Sequence, residues 1–552
     1  SPIDDIPTAH YVLKSSMSSA MSSYISDHVL EMKNNINEGF AKIGMKLESV
    51  DLQLKRDSTR GATVSKYKGQ DVAISSEDPP LWVRSLAFSS LREIEAIRQS
   101  FTFKISGSSE LRGVEYDVVE DLQTKSCIRI ERYDDVKKYT LMAATYILVA
   151  LNDEGSSGDV IENLMRSWSE PKPLLWVEKC SGFERMVAIH FEPRDFGIFD
   201  QLLSLSYELF LKSTPDYLNT GNDAIDSPQP DGMVESTVTS YNQIATSLLT
   251  IIDTPIIKTH EYLRDCKIEQ DDCHQNNDDY EHGTFVAGVV KQINSNIPIF
   301  SFPVFRVVML PDRSTYSYSA VELFYSPKGV QLSGIGMIAA ALAAFSNSAS
   351  RVANLSMGLR NTKQEVIDFM TPLMKKLRLQ GSILVVAAGN GVKVVAENGD
   401  SNRVGLDNDS VVDDLFVHFT NLEFDHDNRT YVMDNIVQVA AVDQAGQLAS
   451  FSNYGRTKVM LAAPGVGINS CSSLPNQFKT NSGTSFAAPQ VAATLAMMVN
   501  LFPGDTYSEI IDRLRQSVDP DPTLELKTIS GGRLNIDRAL ENGFLNWGCR
   551  LH

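Results

Sequence analysis

The chain is predicted to be an α/β protein whose C-terminal part folds as a mainly parallel sheet with helices on both faces. Three observations predict this. From about residue 247 onward, apolar runs of strand length alternate with helical patterns. Those strand runs are apolar throughout, as strands covered on both faces must be. A breaker-rich stretch at 213–236, STPDYLNTGNDAIDSPQPDGMVES, sets this part off from a helical and mixed α/β N-terminal region.

The elements follow in order. Between Met17 and Leu54 apolar residues recur every three or four positions, which predicts a long amphipathic helix, roughly 57 Å if continuous. Its stripe suits packing on its own chain or self-association through a coiled coil. Residues 55–78 are polar and read as loop, so 1–78 is taken as helix and linker. In 79–235, Ser126–Tyr133, Leu174–Val177 and Met186–Phe191 read as strands. Leu91–Gln99, Lys138–Leu151 and Phe199–Leu211 read as helices. In 236–552, Ser247–Ile252, Pro298–Val304, Val352–Met357 and Ile383–Ala387 read as strands, with helices at Ser333–Ser346 and Thr362–Leu379.

At 552 residues the chain has room for two to four domains of about 150 residues each. Its 43% hydrophobic content supports a sizeable core, and its net charge of −19 argues against a nucleic-acid partner. Six cysteines are too few to frame the fold. Cys266 and Cys273 are close enough in sequence to bridge, but free thiols are the default, and with His274 they match no common zinc spacing. No apolar run reaches the roughly 18 to 20 residues that span a bilayer. Without a charged-then-apolar leader, an intracellular location is expected, although a start at Ser1 allows for earlier processing. Asn408-Asp-Ser and Asn428-Arg-Thr match the glycosylation sequon.

The chemistry concentrates in the C-terminal part. Asn481-Ser-Gly-Thr-Ser-Phe-Ala-Ala-Pro-Gln precedes the helical run VAATLAMMV. Ser485 thus stands at a helix start, where backbone amides favour negative charge and small neighbours admit a substrate backbone. An ordinary N-cap serine would look the same when taken alone. A hydroxyl nucleophile needs a base, and the base needs an orienting acid. Of nine histidines, His282 alone heads a small-residue helix, in Glu281-His-Gly-Thr-Phe-Val-Ala-Gly. Asp253 ends the buried run LLTIID, where a carboxylate must be paired. Asn390 ends Leu384-Val-Val-Ala-Ala-Gly-Asn, where its amide can serve a developing oxyanion together with the Ser485 amide.

Together these segments resemble the subtilase (subtilisin-like) family, in its order Asp, His, Asn, Ser and with 29 residues from Asp253 to His282. Ala353-Asn-Leu-Ser-Met-Gly, Ser450-Phe-Ser-Asn-Tyr-Gly, Ala462-Ala-Pro-Gly and Gly532-Arg-Leu-Asn resemble its other landmarks, so the likeness covers about 240–543. The resemblance implies a seven-stranded, mainly parallel sheet and a serine endopeptidase. In it His282 takes the Ser485 proton, Asp253 orients the imidazole, and an acyl-enzyme forms. It implies that Ser356, Met357 and Gly358 pair with the substrate backbone and that Ala387, Ala388 and Gly389 wall the pocket. No cofactor is implied for the chemistry. Structural calcium is common in the family, with Asp271–Asp272 and Asp278–Asp279 as the candidate clusters, though solvated loops look alike.

Four departures bear on specificity. Pro255 and Leu359 stand where the family favours glycine, and Phe285 where a second histidine is common. An acidic insert, roughly Val392–Asn435, separates Asn390 from Ser485. The N-terminal half exceeds a simple propeptide, and reads either as a regulatory module or as an enlarged inhibitory prodomain that would make the chain a zymogen. This architecture is similar to intracellular proteases that make limited cuts, some fungal ones on pore-forming cell-death substrates. A catalytically silent scaffold is the alternative, disfavoured because all four residues are present. A lipase or esterase elbow is absent.

Overall fold

The computed structural model describes residues 104–120, 126–133, 138–151, 175–179, 185–191, 198–208, 212–219, 241–271, 281–308, 329–359, 363–395, 401–410, 413–474 and 476–541. It also describes short strands before residue 75, a few residues at 162–168, and residues 325–326.

The C-terminal sheet has nine strands, in the order 268–270, 299–303, 249–253, 352–355, 383–387, 436–442, 459–464, 532–533 and 519–520. All neighbours run parallel except the last pair. The expected count was seven. The outer strands at 519–520 and 532–533 are two residues long, too short for an apolar pattern to announce them. The central strands Leu249–Asp253, Val352–Leu355 and Ile383–Ala387 are buried at every position, because helices cover both faces. One face packs the helices Glu281–Ile293 and Thr484–Leu501 into a core that includes Val286, Val290, Val385, Val437 and Leu495. The other packs Ile335–Ser346 and Gln364–Leu379 against Leu355, Leu384 and Val386.

The N-terminal region departs from expectation. It is an antiparallel sheet, with a helix at Ile198–Glu208 where one was expected. Strands are found as expected at Cys127–Tyr133, Leu175–Lys179 and Met186–Phe191. Lys138–Ala150, read above as a helix, is a 13-residue strand that pairs with three others. Its run TLMAATYILVA is apolar on both faces because both are covered, which hides the two-residue period of a strand. The loop expected at 55–78 contains the strands Thr63–Tyr67 and Gln70–Ile74, antiparallel to each other, with Gln53–Arg56 running into its start and pairing with the first. The long helix expected over 17–54 lies mostly outside the described residues. Where they reach it, Lys46–Leu47 and Gln53–Leu54 are extended. The helix expected at Leu91–Gln99 also lies outside them.

The two parts share a sheet and a core. Lys212–Asn219, which overlaps the start of the stretch read as a boundary, pairs with Lys138–Ala150 on one side and with Gly329–Gly334 on the other. Met142, Ile147, Phe191 and Leu202 belong to the same buried cluster as Ile338, Leu342, Phe369 and Met370. Polar contacts follow the same seam. Gly336 N–H donates to Asp216 at 2.9 Å, and the Tyr217 hydroxyl donates to Glu365 at 2.9 Å while accepting from Arg112 at 2.8 Å. Among the described residues, no helix is long and apolar enough to cross a membrane.

Candidate active site

Of the three candidate reactive residues, Asp253 ends a parallel strand, where open α/β sheets place their sites, and His282 and Ser485 each stand second in a helix. Asp253 is the last residue of its strand and is fully buried. His282 Nδ1 lies 2.7 Å from Asp253 Oδ1, which also accepts the Thr254 N–H at 2.7 Å. A carboxylate only accepts, so Nδ1 carries the proton and Nε2 is the basic nitrogen. The His282 helix is held against the Asp253 strand by Gly283, whose N–H donates to Thr254 Oγ1 at 2.7 Å. A Cβ at Gly283 would lie 2.1 Å from the Thr254 carbonyl oxygen, so only glycine permits this approach.

Ser485 is the second residue of its helix, behind Gly483, which is extended at φ 158°. The hydroxyl is buried and has no hydrogen-bond partner among the described residues, and such contacts are often long before substrate binds. Phe486 packs against both Phe285 and His282, with ring centroids 4.3 and 5.6 Å away. Phe285 is therefore core, which accounts for an apolar residue where a second histidine was expected.

Pro489 sits four residues beyond Ser485 and has no N–H, so the Ser485 carbonyl lacks its helical donor. Ser356 Oγ supplies one at 2.7 Å, and Asn354 Nδ2 donates to that hydroxyl at 2.9 Å. Asn390 is likewise fixed. Its Oδ1 accepts from both the N–H and the Oγ1 of Thr484, each at 2.9 Å, which turns the amide nitrogen towards Gly483. The structure thus brings Asp253, His282, Ser485 and Asn390 together. Thr254 and Thr484 position them and were missed by sequence reasoning. Their signal was a threonine following the aspartate and preceding the serine.

The residues expected to bind substrate are mostly buried, as Asp253, Asn390 and Ser485 are. Ser356, Met357, Gly358, Ala387 and Ala388 are buried, and only Gly389 is partly exposed. Asn408 Nδ2 donates to the Ala388 carbonyl at 3.0 Å and to Gln438 at 2.9 Å, so this sequon asparagine is an internal strut. Asn453 N–H donates to the Gly389 carbonyl at 2.8 Å. The insert clamps the end of the cleft strand, because Leu415 N–H donates to the Leu359 carbonyl at 2.9 Å and Asp414 accepts from Leu359. Asp414 also caps Leu415–Phe419 through Phe416 and Val417, and burial raises its carboxyl to about 6.

Among the described residues, Cys127, Cys266 and Cys471 are not in disulfides. Cys273, Asp272, Asp278 and Asp279 lie outside the described residues. Among the described residues, no group of three His, Cys, Asp or Glu side chains could hold a metal ion.

Residues 245–538, more than half of the chain, match the family model described as Subtilase family. The chain is 26% identical to a thermostable alkaline protease of Halalkalibacterium halodurans over 244 residues, 44% of this chain and 53% of that protein. It is 29% identical to a thermophilic serine proteinase of Bacillus sp. strain AK1 over 280 residues, 49% of this chain and 56% of that protein. The chain thus spans about half the length of these curated relatives. Among solved structures it is similar to the epidermin leader peptide processing serine protease of Staphylococcus aureus. That match has 18% identity and a TM-score of 0.48, covering 72% of this chain and 97% of that one.

Proposed function

From a chain that belongs to the subtilase family, we propose a serine endopeptidase that cleaves protein substrates through an acyl-enzyme. The observation that carries this reading is the 2.7 Å contact between His282 Nδ1 and the buried Asp253, next to a serine at a helix start. Ser485 Oγ attacks the scissile carbonyl while His282 Nε2 takes its proton. Asp253 holds the imidazole and stabilises the cation. The tetrahedral oxyanion accepts from Asn390 Nδ2 and the Ser485 N–H. Collapse expels the amine, protonated by His282. Water activated by the same nitrogen then hydrolyses the ester.

Limited, regulatory cutting fits better than general degradation, because the insert clamps the far end of the segment that follows the 352–355 strand. The shared core supports an N-terminal region retained as a regulatory module over one discarded as a prodomain. A latent zymogen is the second reading, favoured by the buried Ser485 hydroxyl. A fluorophosphonate probe tests both readings. Labelling at Ser485 that is absent in Ser485→Ala, on a chain that stays full length, supports the retained-module protease. Labelling that appears only after N-terminal cleavage supports the zymogen. No labelling in either state refutes the protease.

A further inference from the structure

At the end of the parallel sheet opposite Asp253 and Asn390, a cavity of about 580 Å³ lies between the N-terminal sheet, the helix Gln364–Leu379 and the insert. The helix ends there at Leu379, just before the strand Ile383–Ala387 begins, and Asn390 follows that strand's far end. Ala150 and Leu151 form the sheet's side of the cavity. Ala150 pairs with Lys212 in one neighbouring strand, and Leu151 N–H donates at 2.7 Å to the carbonyl of Arg185, which precedes the other. Register thus sets Arg185 and Lys212 on either side of one strand end. Lys375 and Lys376 face them from the helix, and Asp425 stands on the insert strand Glu423–His426.

Charge distinguishes this cavity. Among the described residues four cations line it, Arg185, Lys212, Lys375 and Lys376, against one carboxylate, Asp425. That carboxylate already accepts from the Thr430 hydroxyl at 2.9 Å. Lys212 stands 3.9 Å from Asp368, and both are well exposed, so the pair is weak. Lys376 donates to the neutral Asn347 amide oxygen at 3.2 Å, and Lys375 Nζ lies 5.1 Å from the Phe424 ring. The chain as a whole carries −19, so a basic hollow runs against its composition. A lysine in the last turn of a helix answers the helix dipole, which accounts for Lys376. It does not account for Arg185 and Lys212, which belong to the N-terminal region. Like charges around a concave surface repel one another and focus a positive potential, more so because Arg185, Lys375 and Lys376 are half-buried. A bound anion relieves that repulsion.

From this we propose that the cavity binds a small organic anion carrying two or more phosphoryl groups, held between the N-terminal region and the helix. The volume lies within the roughly 300–1,000 Å³ of small-molecule sites. Two phosphoryl groups match cations on both walls. Arg185 offers paired donors to phosphate oxygens, and the lysines offer point charges. A ligand held by both walls stabilises the seam in proportion to its concentration. The site shares no residue with the candidate active site, so the proposal stands apart from the protease reading.

The test uses the full-length Ser485→Ala chain and inorganic tripolyphosphate as the probe, titrated by calorimetry at about 0.15 M salt. Tripolyphosphate should bind with one-to-one stoichiometry, and more weakly as salt is raised. Lys375→Gln/Lys376→Gln and Arg185→Gln/Lys212→Gln should each weaken binding about tenfold or more, the scale of a charge-assisted hydrogen bond. Lys375→Arg/Lys376→Arg should retain binding, and so should Arg264→Gln, which removes an exposed cation outside the cavity. Without the probe, the unfolding midpoint of the glutamine variants should not fall, since repulsion is removed. No binding by the Ser485→Ala chain overturns the proposal, as does binding that survives both glutamine variants. A loss confined to the helix pair reduces the site to a helix terminus and overturns its placement across the seam. An eight-residue aspartate peptide that binds the same residues more tightly than tripolyphosphate assigns the cavity to an acidic polypeptide, which also overturns the proposal.

Discussion

Gly283→Ala isolates the contact that seats the base on the acid. The added Cβ would stand 2.1 Å from the Thr254 carbonyl oxygen and 3.0 Å from its carbon, about 1.3 Å short of ordinary contact. Neither side yields easily. Thr254 is buried and joined to Asp253 through its own N–H, and the helix beyond Gly283 packs Val286, Val289 and Val290 into the core. Overpacking of this kind destabilises by about 1–3 kcal/mol. A displacement of about 1 Å at a reacting group lowers turnover about a hundredfold, or about 3 kcal/mol of barrier. Stability would be read by denaturation in a Ser485→Ala background, which removes self-cleavage. Turnover would be read on a short peptide with the active form. Gly504→Ala is the control, since its Cβ meets nothing within 4 Å. The reasoning is refuted if Gly283→Ala keeps kcat/KM within about threefold of wild type, because the helix would then not need its seat on Thr254.

Four further outcomes follow from named contacts. Thr484→Val removes the hydroxyl that donates to Asn390 Oδ1 and accepts from Gly389, while its backbone donor to Asn390 remains. At about 1 kcal/mol for one net hydrogen bond, kcat should fall about fivefold with KM little changed. Asn390→Ala should lose about 3 kcal/mol of transition-state stabilisation, and adding Thr484→Val to it should lose no more; additive losses would show that the hydroxyl acts independently. Tyr217→Phe leaves Arg112, Glu365 and Lys363 without their shared hydroxyl and should destabilise the Ser485→Ala chain by about 2 kcal/mol; an unchanged unfolding midpoint would mean that the seam does not depend on this network. Asp414 is raised from 3.8 to about 6 by burial, so its contribution to stability is complete below about 3.8 and is lost as pH rises through about 6. Asp414→Asn keeps the cap without the charge, so its stability relative to wild type should increase between pH 4 and 7, whereas a constant difference would refute the assignment.

Local chemistry is what one sequence displays well. Ser485 at a helix start, His282 at another, and Asp253 and Asn390 at the ends of apolar strands are each written within ten residues of their own chain. The central strands were legible for the same reason, since full burial on both faces demands unbroken apolar runs. The same reasoning misled at Lys138–Ala150, where a strand covered on both faces reads like a buried helix, and period alone cannot separate them.

The sequence by itself displayed the four candidate site residues, the parallel core of the C-terminal sheet and the presence of an insert after Asn390, because each is a short-range pattern. Only the tertiary structure decided that Lys212–Asn219 joins the two parts and that Ser356 supplies the donor Pro489 cannot. It also decided that Asn408 is an internal strut and that Asp414 is held by Leu359. Each of these depends on partners twenty or more residues apart in the chain. Their identity is settled by which backbone groups remain unsatisfied once the layers have packed.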